Sequence, residues 1–292
     1  MLDRAIVDPD QQMPLPFKAA EDYVQTIMQR AGDALTPGIV AHRDLAYGAH
    51  RLHRYNVFAP PDATNAPVLI FWHGGGWTNG YRDFVSFMAP PVVQHGFVLV
   101  APSYRLAPAD PLLAAFDDSL ALLAHLAQHV ARYGGAADRL YLSGHSSGGH
   151  LAALAALRVA DRLQAGIGAH TVRGCLPVSG IMNLHHPAPV PGSLEERVYT
   201  LVLRHADDDA PLSPVCWTAG NHLPFVLSYG EYDNERVLRS NRRLLALLQC
   251  QHADVDAIVE SGKDHFQTHM MLRDAAHPWY QRLARPVERT QP

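Results

Sequence analysis

The chain has 292 residues, 48% of them hydrophobic, enough to bury one sizeable core, and α/β folds of this length often form one domain, here spanning 1–292. Lys and Arg total 24 against 28 Asp and Glu, a formal charge of -4, so no basic excess is available to hold a phosphate backbone and nucleic acid is not an expected partner. No stretch reaches the roughly 18 uninterrupted apolar residues that a membrane helix needs, which argues against a membrane partner as well.

The amino terminus reads MLDRAIVDPDQQMPLPF, with early acids and no long apolar run of the secretory kind, so a cytoplasmic location is expected. An amphipathic helix follows over residues 17–30, then two polar-apolar segments, 40–45 and 52–58, which read as an antiparallel strand pair with one wet face. Beyond them the strands change character. Residues 67–72 (PVLIFW), 97–100 (FVLV), 140–142 (LYL), 175–178 and 224–227 are short apolar runs of the sort buried on both faces of a parallel sheet. Helical patterns alternate with them at 111–133, 147–160 and 235–251, the last with leucines at 238, 244, 245, 247 and 248. Residues 257–259 read as a late strand and 266–283 as a closing helix. This order predicts an α/β fold, a mostly parallel sheet flanked by helices, whose ligands bind beyond the carboxyl ends of the strands. Residues 185–217 stand apart, rich in Pro and Asp around one helix-like stretch at 194–203, and read as a cap or lid segment.

The strongest local signal is Gly144-His145-Ser146-Ser147-Gly148, a GxSxG between a strand and a helix. Such a turn thrusts the serine hydroxyl above the sheet. The N–H of Ser147, unsatisfied like every donor in a first helical turn, can point at an oxyanion forming beside Ser146. Taken alone the pattern could also be a mere glycine-rich turn. Seventy-three residues earlier (146 minus 73), directly after the PVLIFW strand, stands His73-Gly74-Gly75-Gly76-Trp77, whose glycines let backbone donors approach a ligand closely. Gly74 and Gly75 are therefore the other expected oxyanion donors, with His73 structural.

A serine needs a base to take its proton, and this strand order puts that base after the last strand. His265, in Ser261-Gly262-Lys263-Asp264-His265-Phe266, is the candidate; His252 falls before that strand and His269 one turn into the closing helix. The orienting acid should follow the preceding strand, where Glu231-Tyr232-Asp233 gives Asp233, with Glu231 and Glu235 as rivals. Asp264 stands after the wrong strand. Other features are read modestly. Arg105 is expected to pair with Asp117 or Asp118 and brace a loop, and neither His145 nor His150 is read as a second base. Trp77, Tyr81, Tyr229 and Tyr232 lie near the site by topology and are candidates to line a substrate pocket, although aromatics are also ordinary core material. Cys175, Cys216 and Cys250 are widely spaced without CxxC, as reduced thiols would be. HExxH is absent and the pair His185 and His186 precedes a proline-rich stretch, so no metal is expected and no organic cofactor is needed.

HGGGW, SYRLAP, GHSSGG, GEYD and DHF, in this order, give the chain a resemblance to the hormone-sensitive-lipase-like branch of α/β hydrolases, extending over about residues 67–269. More narrowly, GEYD followed 32 residues later (265 minus 233) by DHF resembles the arylformamidase (kynurenine formamidase)-like group. The resemblance implies an α/β-hydrolase fold, the triad Ser146, Asp233 and His265, and an oxyanion hole of Gly74, Gly75 and Ser147. It implies a small-molecule ester or aryl-amide substrate and fixes chemistry better than substrate. Two other functions stay open at this point: a catalytically silent hydrolase-fold binding protein, and a peptidase-like hydrolase. The sequence leaves the oligomeric state open, a homo-oligomer included.

Overall fold

The computed structural model describes residues 12–251 and 254–289, residues 284–289 in backbone only; the amino-terminal stretch before Gln12 and the weighed His252 lie outside the described residues. In chain order the strands are β1 (Val40–Ala46), β2 (Arg54–Ala59), β3 (Ala66–Trp72), β4 (Val98–Pro102), β5 (Gly135–His145), β6 (Val172–Val178), β7 (Phe225–Tyr232) and β8 (Val255–Asp264). The helices are α1 (Lys18–Gln29), α2 (Ala89–Gln94), α3 (Leu112–His129), α4 (Ser147–Leu157), α5 (Val159–Gln164), α6 (Leu194–Arg197), α7 (Glu235–Gln249), α8 (Gln267–Met270) and α9 (Pro278–Arg289). The eight strands form one sheet in the order β1-β2-β4-β3-β5-β6-β7-β8. β1 and β2 pair antiparallel, as do β2 and β4, and every later pair is parallel. This is the mostly parallel, helix-flanked sheet expected from the alternation of apolar runs and helical patterns, in the α/β-hydrolase form that the resemblance implies.

The period-2 geometry of strands splits the apolar runs between two cores. In β3, Val68, Ile70 and Trp72 join one cluster while Leu69 and Phe71 join the other; in β4, Val98 and Val100 oppose Leu99 and Ala101. The first core is closed by α3, α4 and α7, the second by α1, α2 and the segment after β8. Every residue of α4 is buried, which is why its sequence is apolar all round.

Four expectations need correction. β2 has no wet face: Tyr55, Val57 and Ala59 enter one core and Phe58 the other. The polar residue between them, Asn56, is also buried, donating to Asp83 Oδ1 at 2.9 Å and accepting from the Asp44 N–H at 3.0 Å. The alternation therefore marks a buried polar network, and β1 is the half-exposed edge. The 147–160 helix breaks at Arg158, whose ψ of 69° leaves the helical region before α5 starts. There the guanidinium stacks over Phe116 and Trp217 and pairs with Asp161. The closing helix is two helices, because a chain entering Pro278 disfavours helical geometry in the preceding residue and Asp274 is already extended at ψ 111°. Finally, the helix-like stretch at 194–203 ends one residue early and widens from α6 into a π-turn over Val198–Val202.

Candidate active site

Strand register decides which side chains meet. β3 pairs with β5 at Trp72 and Gly144, so the chain leaving β3 at His73 emerges beside the chain reaching Ser146. β7 pairs with β8 at Tyr232 and Asp264, so Asp233 and His265, each one residue further, become neighbours.

Ser146 joins β5 to α4 with φ 55° and ψ -117°, a sparsely populated conformation that costs on the order of 1–3 kcal/mol and must be held from outside. Its N–H donates to the Val178 carbonyl at 2.9 Å, and its own carbonyl accepts from the His150 N–H at 3.0 Å. The flanking glycines are steric necessities. A Cβ on Gly144 would strike the Gly148 backbone and the Trp72 carbonyl; one on Gly148 would strike the Trp72 and His73 carbonyls. The first turn of α4 therefore lies directly on the end of β3.

Ser146 Oγ lies 2.9 Å from His265 Nε2, and His265 Nδ1 lies 2.7 Å from Asp233 Oδ1. The Asp233 side chain is fully buried. Its Oδ1 also accepts from the Asn234 N–H at 3.0 Å, and its Oδ2 accepts from Ser179 Oγ and, at 3.3 Å, from the Gly230 N–H. Burial alone would raise this carboxyl. The hydrogen bond and charge of His265, with the donors of Ser179 and Gly230, outweigh that and hold it below its ordinary value. An ionised acceptor requires the proton on Nδ1, which leaves the Nε2 lone pair facing the serine hydroxyl.

The rival acids are engaged elsewhere. Glu231 accepts from Ser261 Oγ at 3.1 Å and the Gly262 N–H at 2.8 Å; Glu235 pairs with Arg239; Asp264 accepts from the Phe266 and Gln267 N–H groups at 2.9 and 2.8 Å.

The glycine loop passes against Ser146. A Cβ on Gly74 would sit 2.9 Å from His145 Nδ1 and 3.4 Å from Ser146 Cβ. Gly75 has φ 130°, and its carbonyl closes a turn by accepting from the Thr78 and Asn79 N–H groups. Among the described residues the amides of Gly74, Gly75 and Ser147 donate no hydrogen bond; Ser147 directly follows Ser146, and Gly74 packs against it. His73 braces the loop, Nδ1 donating to the Gly74 carbonyl at 2.8 Å while its ring stacks on Tyr104 at 4.3 Å. Burial pulls its pKa down to about 4, so it is a neutral structural group.

The four aromatic candidates occupy different surroundings. Trp77 is buried edge-on to His150, Tyr81 packs on Phe84, Tyr229 is buried within β7, and Tyr232 is exposed at its end. Among the described residues none has a ring contact or hydrogen bond with Ser146 or His265. A pocket of about 270 Å³ between α1 and α8, lined by Ile27, Arg30, Phe87, Lys263 and Met270 among others, is not walled by Ser146, Asp233 or His265.

Arg105 clamps Asp118, its Nε and Nη2 lying 2.9 and 2.7 Å from Oδ1, and braces the loop after β4. His150 donates to the Leu212 carbonyl at 2.6 Å, tying the 185–217 segment to α4, and His185 pairs with Asp209 at 2.7 Å. Two site residues escaped sequence reasoning. Ser179, with φ 47°, follows β6 and donates to Asp233; Thr268 Oγ1 lies 2.8 Å from both Ser179 Oγ and the His265 carbonyl. Their signal was positional: β3, β5, β7 and β8 each release a site residue at the carboxyl end, and β6 lies among them.

Residues 56–247 match the family described as BD-FAE. Among similar proteins, a probable carboxylic ester hydrolase, LipM, of Mycobacterium tuberculosis is 32% identical over 70% of this chain and 53% of its own length. A kynurenine formamidase of Danio rerio is 32% identical over 48% of this chain and 46% of its own. The chain thus spans about half the length of these relatives. Among solved structures, an esterase of Pyrobaculum calidifontis superposes with a TM-score of 0.77 at 21% identity, covering 93% of this chain and 92% of that one, a likeness of fold. No helix among the described residues is long and apolar enough to cross a membrane.

Proposed function

The chain belongs to the BD-FAE family of hormone-sensitive-lipase-like α/β hydrolases, and from that premise we propose that it is a serine hydrolase cleaving small carboxylic esters or aryl formamides. The observation that carries the reading is the hydrogen-bonded line from Ser146 through His265 to an ionised Asp233, at 2.9 and 2.7 Å; the amides of Gly74, Gly75 and Ser147, which have no protein acceptor among the described residues, support it.

In this reading Ser146 Oγ attacks the carbonyl carbon as its proton passes to His265 Nε2. The negative charge arising on the former carbonyl oxygen meets the amides of Gly74, Gly75 and Ser147, each worth roughly 10²- to 10³-fold in rate because it is aimed before the charge appears. His265 then protonates the departing alcohol or arylamine, leaving an acyl group on Ser146. Water attacks that ester, again losing its proton to Nε2, and Ser146 is regenerated with the acid as product. Asp233 keeps its charge throughout, fixing the tautomer and stabilising the imidazolium.

Trp77, Tyr81, Tyr229 and Tyr232 are proposed to shape the acyl or aryl side of the pocket, and residues 185–217 to cap it, anchored through the hydrogen bond of His150 to Leu212 and the stacking of the Arg158 guanidinium over Trp217. The free thiols of Cys175, Cys216 and Cys250 favour a reducing, cytoplasmic setting.

The test is turnover of p-nitrophenyl acetate and butyrate, N-formylkynurenine and a peptide anilide by wild type and Ser146→Ala. Acyl turnover that drops by about 10⁴- to 10⁶-fold in kcat in the variant is expected. An inert wild type would support a silent binding protein, and preference for the anilide a peptidase.

A further inference from the structure

The mechanism leaves unused a buried chain of side chains directly behind the general base. His145, the residue before Ser146, lies with Nε2 2.7 Å from the backbone carbonyl of His265. Its ring stacks on His269, centroids 5.0 Å apart and planes 7° from parallel, and His269 stacks in turn on Phe71. Tyr23 Oη, from α1, reaches His269 Nδ1 at 2.6 Å and His145 Nδ1 at 3.5 Å. All three side chains are buried.

A carbonyl only accepts, so His145 carries its proton on Nε2 and presents a lone pair at Nδ1. One proton assignment satisfies the most groups: His269 Nδ1–H donates to Tyr23, the Tyr23 hydroxyl to His145 Nδ1, and His145 Nε2–H to the His265 carbonyl. Only His269 Nε2 is then left without a partner, in an aromatic stack. Burial first, then the nearby His265, pulls the pKa of His145 down to about 3, consistent with a neutral donor.

We infer that His145 is a positioning residue for the reaction, holding the His265 main chain, and with it the imidazole, at the distance from Ser146 that proton transfer requires, with Tyr23 and His269 fixing its ring. The inference rests on the serine-hydrolase reading of the same site. Three features carry it. His145 and Ser146 are consecutive, so the nucleophile and the support of its base share one rigid strand end. The carbonyl that His145 grips belongs to the base itself, and Thr268 Oγ1 donates to the same oxygen at 2.8 Å. The ring also underlies the glycine loop, its Nδ1 lying 2.9 Å from where a Cβ of Gly74 would stand. One imidazole thus touches the base and the oxyanion loop and adjoins the nucleophile in sequence. Lost alignment of about 1 Å can cost 10²-fold in rate without any change in substrate contacts.

The experiment compares wild type, His145→Ala, His145→Gln and Tyr23→Phe in p-nitrophenyl acetate hydrolysis and in the rate at which a fluorophosphonate labels Ser146, with circular dichroism to score folding. His145→Ala should lose about 10²-fold in kcat with KM nearly unchanged, and His145→Gln, whose amide can donate to the same carbonyl, should recover about tenfold of it. A kcat for His145→Ala close to wild type, or a Gln variant no better than Ala, overturns the inference. Should neither His145 variant fold, Tyr23→Phe decides: a several-fold loss in kcat at constant KM supports the role, and an unchanged kcat removes it. A wild type that neither turns over ester nor takes up the label refutes the hydrolase reading, an outcome separate from these.

Discussion

At the scale of single residues, the site depends on which carboxylate meets His265. Sequence order named Asp233 but could not dismiss Glu231, two positions away on the same chain exit. The structure separates them by burial and by partner. Asp233 is sealed beneath His265 with donors from Ser179, Gly230 and Asn234, whereas Glu231 is exposed and spends one oxygen on Ser261 and Gly262 of β8. Asp233→Asn should therefore lower kcat by about 10⁴-fold, because an amide can stabilise the wrong tautomer and cannot offset the imidazolium charge. Glu231→Gln should change it less than about threefold, as expected for a surface polar contact. Steady-state kinetics on one ester reads both, and comparable losses would return the choice to the rivals. Ser179 belongs to the same argument: its bond to Asp233 was hidden because it spans 54 positions and joins two strand ends that only the folded sheet brings together.

At the scale of elements, local pattern is legible where the cause is local. Apolar runs located β3 to β7, because the middle of a strand covered on both faces is mostly apolar. The two glycine loops could be tied to one reaction because each follows a strand. The misreadings have non-local causes. Asn56 looks like a solvent-facing residue until Asp83 is brought beneath it, and the break at Arg158 depends on Phe116 and Trp217, far away in sequence. The Tyr23–His269 bond spans 246 positions and left no mark in either segment. Packing of α4 on β3 offers a test of element placement. Gly148→Ala would drive a methyl into backbone carbonyls that cannot move without shifting the sheet, whereas Gly166→Ala, at φ 79°, meets open space and only backbone strain. Denaturant titration should give a loss of about 1–2 kcal/mol for Gly166→Ala and clearly more for Gly148→Ala. Equal losses would mean that α4 does not press on β3 as closely as the register implies.

At the scale of the whole molecule, the buried histidines couple stability to pH. Burial lowers His73 to about 4, His145 and His150 to about 3, and His269 well below its ordinary value. The folded state therefore keeps these four neutral while the unfolded chain protonates them near 6.5. As pH approaches and passes that value the unfolded state holds more protons, so the stability of the folded state is full only well above about pH 6.5 and falls as pH drops through it towards the folded-state values. Each histidine contributes about 1.4 kcal/mol of loss at one unit below 6.5, which gives a ceiling of about 5 kcal/mol for the four between pH 7.5 and 5.5. Carboxylates contribute little in that window, because ordinary Asp and Glu titrate near 4 and the depressed Asp233 loses its share only at lower pH. Urea unfolding of Ser146→Ala at pH 7.5, 6.5 and 5.5 isolates the effect from catalysis. The midpoint should fall modestly between the first two, by about a quarter of the total loss, and drop more sharply at the third. A midpoint unchanged at pH 5.5 would mean that the histidines gain protons without unfolding, and the aromatic stack behind His265 would then have to open in the native protein.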